Sequence, residues 1–170
     1  AGGAANNGTL FVTLEPCCHT GRTPPCTEAI IEANIGRVVI GMIDPDERVA
    51  GNGVSALQAA GIVVDNGICG SEVSEQLLPY VHHRRTGRPF VLAKIAATLD
   101  GHTAAGDGTS QWITGERARQ DAHRLRAESD AIIVGAGTVR TDDPSLTVRH
   151  VEGRDPLRVV LGTAPSGARV

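Results

Sequence analysis

The densest chemistry in the chain lies in Glu15-Pro16-Cys17-Cys18-His19-Thr20-Gly21-Arg22-Thr23-Pro24-Pro25-Cys26. Thiolates and imidazoles are the groups that close a tetrahedral zinc site. Cys17 leaves the end of an apolar run. Cys26 follows Pro-Pro, in the first turn of a helix, where unpaired N–H groups and the helix dipole favour a thiolate. Gly21 supplies a tight turn in the loop between them. Two sulfurs from a strand end and a helix start can approach one metal; they can equally be small residues packed in a core. Cys18 and His19 are further candidates, because zinc needs four groups. Cys69, in a loop before Ser71, reads as an ordinary buried thiol. Arg22 is a permanent cation on a Gly-Pro loop, suited to a phosphate or simply solvated.

A second set of polar residues lies beyond position 90. Lys94-Ile95-Ala96-Ala97-Thr98-Leu99-Asp100-Gly101 is followed by Ser110-Gln111-Trp112-Ile113-Thr114, Leu125-Arg126-Ala127 and Gly135-Ala136-Gly137-Thr138-Val139-Arg140-Thr141-Asp142-Asp143-Pro144. Gly135-x-Gly137 after an apolar strand offers backbone N–H groups to an anion. Arg140 stands where a dinucleotide fingerprint has its third glycine, so an ordinary strand-to-helix turn is the better reading. Arg126 and Arg149 can fork onto a phosphate, the alternative for Arg126 being a solvated charge on a helix face. Trp112, the only tryptophan, offers a flat surface and one N–H donor, or a core aromatic. His102 and His123 suggest no role. His82-His83-Arg84-Arg85 reads as a basic helix end.

The elements that must position these residues alternate. Leu10–Leu14, Arg37–Ile43 and Ile62–Val64 are short apolar runs rich in β-branched residues and read as strands. Thr27–Ile35, stopped by Gly36, and Val54–Ala60, stopped by Gly61, read as the helices between them. That order predicts a parallel sheet with crossover helices. Ser71 caps a further helix running to about Arg84. Arg84-Arg85-Thr86-Gly87-Arg88-Pro89 marks a boundary near 86–88. A strand from Phe90, a glycine-rich loop, a helix capped by Thr114 and running to about Glu128, and strands at Asp130–Val134 and Leu157–Leu161 follow.

Composition narrows the class. The 170 residues are 41% hydrophobic and 21% charged, which excludes collagen-like, coiled-coil and disordered chains. A net charge of −3 gives no basic footprint for nucleic acid or an anionic membrane. Four cysteines do not make a secreted disulfide scaffold. The first eight residues read as a loop, and the final strand and loop lead nowhere. The expectation is a fragment cut at both ends.

TLEPCCHTGRTPPC strongly resembles the zinc motif in the deaminase half of the bifunctional riboflavin-biosynthesis deaminase/reductase family, a longer-looped variant of the Pro-Cys-x-x-Cys element of cytidine-deaminase-like enzymes. The turn Asp44-Pro45-Asp46 and the stretch Val49–Gly53 look like that family's substrate-side loop. A-x-T-L-D-G, S-Q-W-I-T and G-A-G-T-V-R-x-D-D-P-x-L-T-V-R, in this order, look like its reductase half. The resemblance covers nearly the whole chain. It implies an α/β architecture: a cytidine-deaminase-like three-layer domain, incomplete, over residues 1–86, then a dihydrofolate-reductase-like domain, incomplete, over 87–170.

By the same resemblance Cys17 and Cys26 are zinc ligands, and Cys18 is not. His19 and Arg22 lie near the substrate phosphate. Ala96, Trp112, Thr138 and Asp142 contact NADPH. Ser110, Arg126, Leu146 and Arg149 contact the phosphoribosylamino substrate, with Lys94 near the reacting sugar carbon. The implied reactions are zinc-dependent hydrolytic deamination of a phosphoribosylamino-diaminopyrimidinone and NADPH-dependent reduction of its ribosyl side chain to ribityl. The implied partner is a small phosphorylated pyrimidine, in a cytoplasmic homo-oligomer with no nucleic acid or membrane.

One departure bears on activity. The family places a His-x-Glu, the third ligand and the proton shuttle, before Pro-Cys. No histidine precedes Cys17, and His150-Val151-Glu152 is on the wrong side and in the second block. The expectation is an inactive deaminase half with no catalytic glutamate to name. The rivals are a zinc-stabilised, non-catalytic binding module and another nucleobase or nucleoside deaminase. Acidic balance and few aromatics oppose the latter.

Overall fold

The computed structural model describes residues 2–170, and the chain forms two compact units, Ala1–Leu92 and Ala93–Val170. In the first, a turn of 3-10 helix at Gly2–Ala5 stands where a loop was expected, and Ala1 lies outside the described residues. Strands β1 (Thr9–Leu14), β2 (Arg37–Met42) and β3 (Val63–Asn66) form a parallel sheet in the order β1-β2-β3. Leu10 pairs with Val38, and Val38 with Val64. Parallel neighbours need long crossovers. Helices α1 (Cys26–Glu32) and α2 (Asn52–Ala59) provide them.

Side chains alternate across a strand. Val38 and Ile40, fully buried, face Ile30 of α1 and Leu57 of α2 in one core. Gly41 points to the other face. A Cβ there would sit 2.5 Å from Cγ2 of Val73, on α3 (Gly70–Gln76), so α3 packs close against the sheet at that point.

Several ends differ from the sequence reading. Helix α1 closes through Asn34, which takes the left-handed conformation (φ 51°) that Gly36 was expected to supply. Cys69, not Ser71, is the N-cap of α3, and no side chain caps it. The single helix expected from Ser71 to Arg84 is two, α3 and α4 (Leu78–Thr86). Pro79, at the start of α4, has no N–H to continue α3 and is tolerated only in a first turn.

The second unit holds α5 (Glu116–Ala127), β4 (Ala131–Gly135), α6 (Ala136–Asp142) and β5 (Leu157–Leu161). β4 and β5 pair in parallel, Ile133 with Val159. Gly115 rather than Thr114 is the N-cap of α5, and the Thr114 carbonyl accepts from Arg119 Nη1 at 2.7 Å instead. The strand expected from Phe90 does not form. The segment has strand composition, but it joins no sheet among the described residues, and Val91, Ile95 and Leu99 are exposed. No helix of the described residues is long and apolar enough to cross a membrane.

Candidate functional site

In a parallel sheet all C-terminal strand ends share one rim, and open α/β sheets bind ligands there. β1 delivers Glu15, Pro16 and Cys17 to that rim, and β2 delivers Asp44 and Asp46. Cys17 is half-buried. Its Sγ accepts the backbone N–H of Cys26 at 3.3 Å, and its carbonyl accepts from Thr27 N at 3.2 Å and Thr27 Oγ1 at 3.3 Å. Hydrogen bonding to the Cys17 sulfur, with burial, pushes the Cys26 thiol up. The two sulfurs named from the sequence therefore stand side by side, Cys26 exposed as the first residue of α1.

The zinc fit is partial. The donor set at this rim is two sulfurs, and no group of three His, Cys, Asp or Glu side chains converges among the described residues. His19 is half-buried, and its Nδ1 is shielded from solvent without a hydrogen-bond partner. Cys18 Sγ lies 3.8 Å from the Arg48 carbonyl oxygen. Arg22 is exposed. Cys69 is exposed as well, a correction to the buried thiol read from the sequence.

Glu15 was given no role in the sequence reading and is the most buried acid of the unit. A buried carboxylate needs hydrogen-bond donors. Glu15 Oε2 accepts from Gly51 N at 2.9 Å and Asp44 N at 3.2 Å, and Oε1 accepts from Val54 N at 3.0 Å. The charge sits at the N-terminus of α2, where the dipole favours it. Glu15 thus ties the residue pair before Cys17 to both neighbouring loops. The available signal was a glutamate wedged between Leu14 and Pro16 at a strand end.

A second network lies alongside. Asp44 accepts the Tyr80 hydroxyl at 2.9 Å and the Asp46 N–H at 2.8 Å. Burial and then the Asp44 contact raise the Tyr80 phenol. Asp46 accepts from Arg48 Nη2 at 2.8 Å and Nε at 3.1 Å, and Arg84 Nη1 lies 3.2 Å away. The bidentate Arg48 contact holds the Asp46 carboxyl well below the usual carboxylate range.

In the second unit, Ser110 and Trp112 line a cavity of about 720 Å³ together with Thr98, Asp100 and His102. The cavity is open to solvent rather than enclosed. Trp112 is 71% exposed, with the Arg119 guanidinium 4.4 Å over its ring. Ala96, Thr138, Asp142, Arg126, Leu146 and Arg149 do not line this cavity. Lys94 is exposed, Ala96 half-buried, and Thr138 and Asp142 lie exposed on α6. For a nicotinamide cofactor the cavity offers an aromatic face and hydroxyls, but its acid, Asp100, lies 3.7 Å from His102, and no arginine or lysine lines it.

Arg126 and Arg149 form a separate cluster. Arg126 Nη1 donates to the Thr147 carbonyl at 2.6 Å, and Arg149 Nη1 donates to Thr147 Oγ1 at 2.7 Å. Arg126 Nε is shielded from solvent and unpartnered. Neither guanidinium forms an ion pair among the described residues. Burial and then Arg149 lower the Arg126 guanidinium from its ordinary value, against a smaller opposing pull from Asp155. Leu146, buried, takes a left-handed conformation (φ 54°) immediately before Thr147.

Comparison with known proteins gives the class first. Residues 2–42 match the cytidine and deoxycytidylate deaminase zinc-binding region, and residues 89–168 match the RibD C-terminal domain. The riboflavin biosynthesis protein RibD of Chlamydia trachomatis is 52% identical over 168 residues, covering 95% of this chain and 45% of that protein. The crystal structure of a diaminohydroxyphosphoribosylaminopyrimidine deaminase/5-amino-6-(5-phosphoribosylamino)uracil reductase from Thermotoga maritima superposes with a TM-score of 0.84 at 47% identity, covering 91% of this chain and 44% of that one. Acinetobacter baumannii RibD gives 0.87 at 44% identity, over 99% and 50%. The chain belongs to the RibD family of riboflavin-biosynthesis proteins. It spans about half the length of the curated relatives it matches.

Proposed function

We propose that the chain acts in riboflavin biosynthesis, residues 1–86 contributing to a zinc deaminase domain and residues 87–170 to an NADPH-dependent reductase domain, in a cytoplasmic homo-oligomer. The ligand is a small phosphorylated pyrimidine, not a nucleic acid or a membrane. The observation that carries this reading is the Arg126–Arg149 pair: two guanidinium groups gathered on Thr147, neither in an ion pair among the described residues, and one buried donor left without a partner. Such a pair is a ready receptor for a sugar phosphate.

Ser110 and Leu146 complete the substrate contacts of the reductase half, with Lys94 near the reacting sugar carbon. Ala96, Trp112, Thr138 and Asp142 hold the cofactor. NADPH, when bound, supplies the hydride that turns the ribosyl side chain into a ribityl one. The protein's part is orientation: the arginines fix the phosphate, and the Trp112 cavity receives a flat ring.

In the deaminase half Cys17 and Cys26 are the zinc ligands, with His19 and Arg22 toward the substrate phosphate. Two adjacent sulfurs support the ligand assignment. The 170 residues hold no His-x-Glu ahead of Cys17, so by themselves they bind zinc weakly and do not release ammonia from the diaminopyrimidine. The two-sulfur donor set favours a zinc-stabilised, non-catalytic role for this unit taken alone.

The test is calorimetry on the 170-residue chain. Ribose 5-phosphate is expected to bind, and Arg126→Gln and Arg149→Gln each to weaken it about tenfold or more, as loss of a charge-assisted hydrogen bond requires. Binding unchanged in both variants, or no preference for NADPH over NADH, defeats the reductase reading. Ammonia release with stoichiometric zinc defeats the inactive-deaminase reading.

A further inference from the structure

His123 lies on α5 three residues before Arg126 and is 6% exposed. Its Nδ1 accepts the backbone N–H of Arg149 at 3.1 Å, a bond that spans 26 residues of sequence. Its ring meets His150 edge-on, with centroids 4.5 Å apart. On the same short loop, Thr147 holds Arg126 through its carbonyl and Arg149 through its hydroxyl. The loop is thus pinned to α5 at two points: Thr147 on Arg126, and Arg149 on His123.

We propose that His123 is a positioning residue for the sugar-phosphate site: a neutral imidazole with a bare Nδ1 that fixes the backbone of Arg149 so that both guanidinium groups face one anion. The role rests on the phosphate reading given above.

The chemistry requires the neutral form. An imidazole that accepts at Nδ1 carries its proton on Nε2, and an imidazolium has no acceptor. The charged and titratable groups around it are Arg126 on its own helix and Arg149 and His150 on the loop, with Asp155 the acid near Arg126. Burial first, then Arg126, His150 and Arg149, push His123 down to about 4. Between that value and the ordinary histidine range the unfolded chain takes up a proton that the folded chain refuses. The contribution is therefore complete above about pH 6.5 and is lost as pH falls toward 4. At neutral pH the site keeps two positive charges and an available acceptor.

Two substitutions separate positioning from packing. In His123→Asn the amide oxygen takes the place of Nδ1 as acceptor; His123→Phe keeps the bulk and removes the acceptor. In calorimetry with ribose 5-phosphate, His123→Asn should bind within about threefold of the unsubstituted chain and His123→Phe about tenfold or more weakly. A folded His123→Phe chain that binds as well as the unsubstituted one overturns the role. Nitrogen NMR of the unsubstituted chain tests it independently of how the variants fold. An unprotonated Nδ1 with Nε2–H at about pH 6 supports it; a proton on Nδ1 at that pH overturns it. No ribose 5-phosphate binding by the unsubstituted chain overturns the phosphate reading first, and this role with it.

Discussion

Glu15 draws its three backbone donors from positions 29, 36 and 39 residues further along the chain. Replacing one oxygen by an amide leaves an N–H facing an N–H in a buried place. Glu15→Gln should therefore cost about 1–3 kcal/mol. Tyr80, the only tyrosine, lies in the same unit and hydrogen-bonds to Asp44, so its signal in urea unfolding measures that loss. What the sequence reading anticipated is proximity: Cys17 lies beside Cys26, and Arg126 and Arg149 share Thr147. The roles of Glu15 and His123 were not legible, because their partners are backbone groups brought in by distant loops, and nothing in a side chain's identity announces which N–H it will meet.

At the scale of elements, the N-terminus of α2 closes onto the strand end of β1. Gly53 stands there with no room for a side chain: a Cβ would sit 2.1 Å from the Pro16 carbonyl oxygen and 3.0 Å from Glu15 Oε1. Gly53→Ala should destabilise the first unit by about 1–3 kcal/mol, the usual cost of overpacking, in the same Tyr80 transition. Gly21→Ala is the control. A Cβ there meets nothing within 4 Å, and the turn the sequence reading gave to that glycine does not depend on its being one. All five described strands were readable, β3 shifted toward its C-terminal end, because short β-branched runs bounded by turn residues favour pairing. The Phe90 segment had the same composition and failed, because a strand is a relation between two backbones. The break at Pro79 was written in the sequence and passed over; a proline within an apparently continuous helix starts a new one.

The whole molecule is two units with unequal cores. The first buries Val38, Ile40 and Leu57 completely between its sheet and helices. The second rests on two strands, and Ile133, Leu157 and Leu161 on them are exposed. Two-stranded sheets are marginal by themselves. Trp112, the only tryptophan, belongs to the second unit, as Tyr80 belongs to the first. In urea the tryptophan signal should change at a lower concentration than the tyrosine signal, and coincident curves would show one cooperative block instead. The exposed stretch that joins the units carries Lys94, the chain's sole lysine. Acylating reagents that spare the α-amine thus have one target side chain, and the mass added to a single peptide records who has access to the joint, in the free chain and with ligand bound.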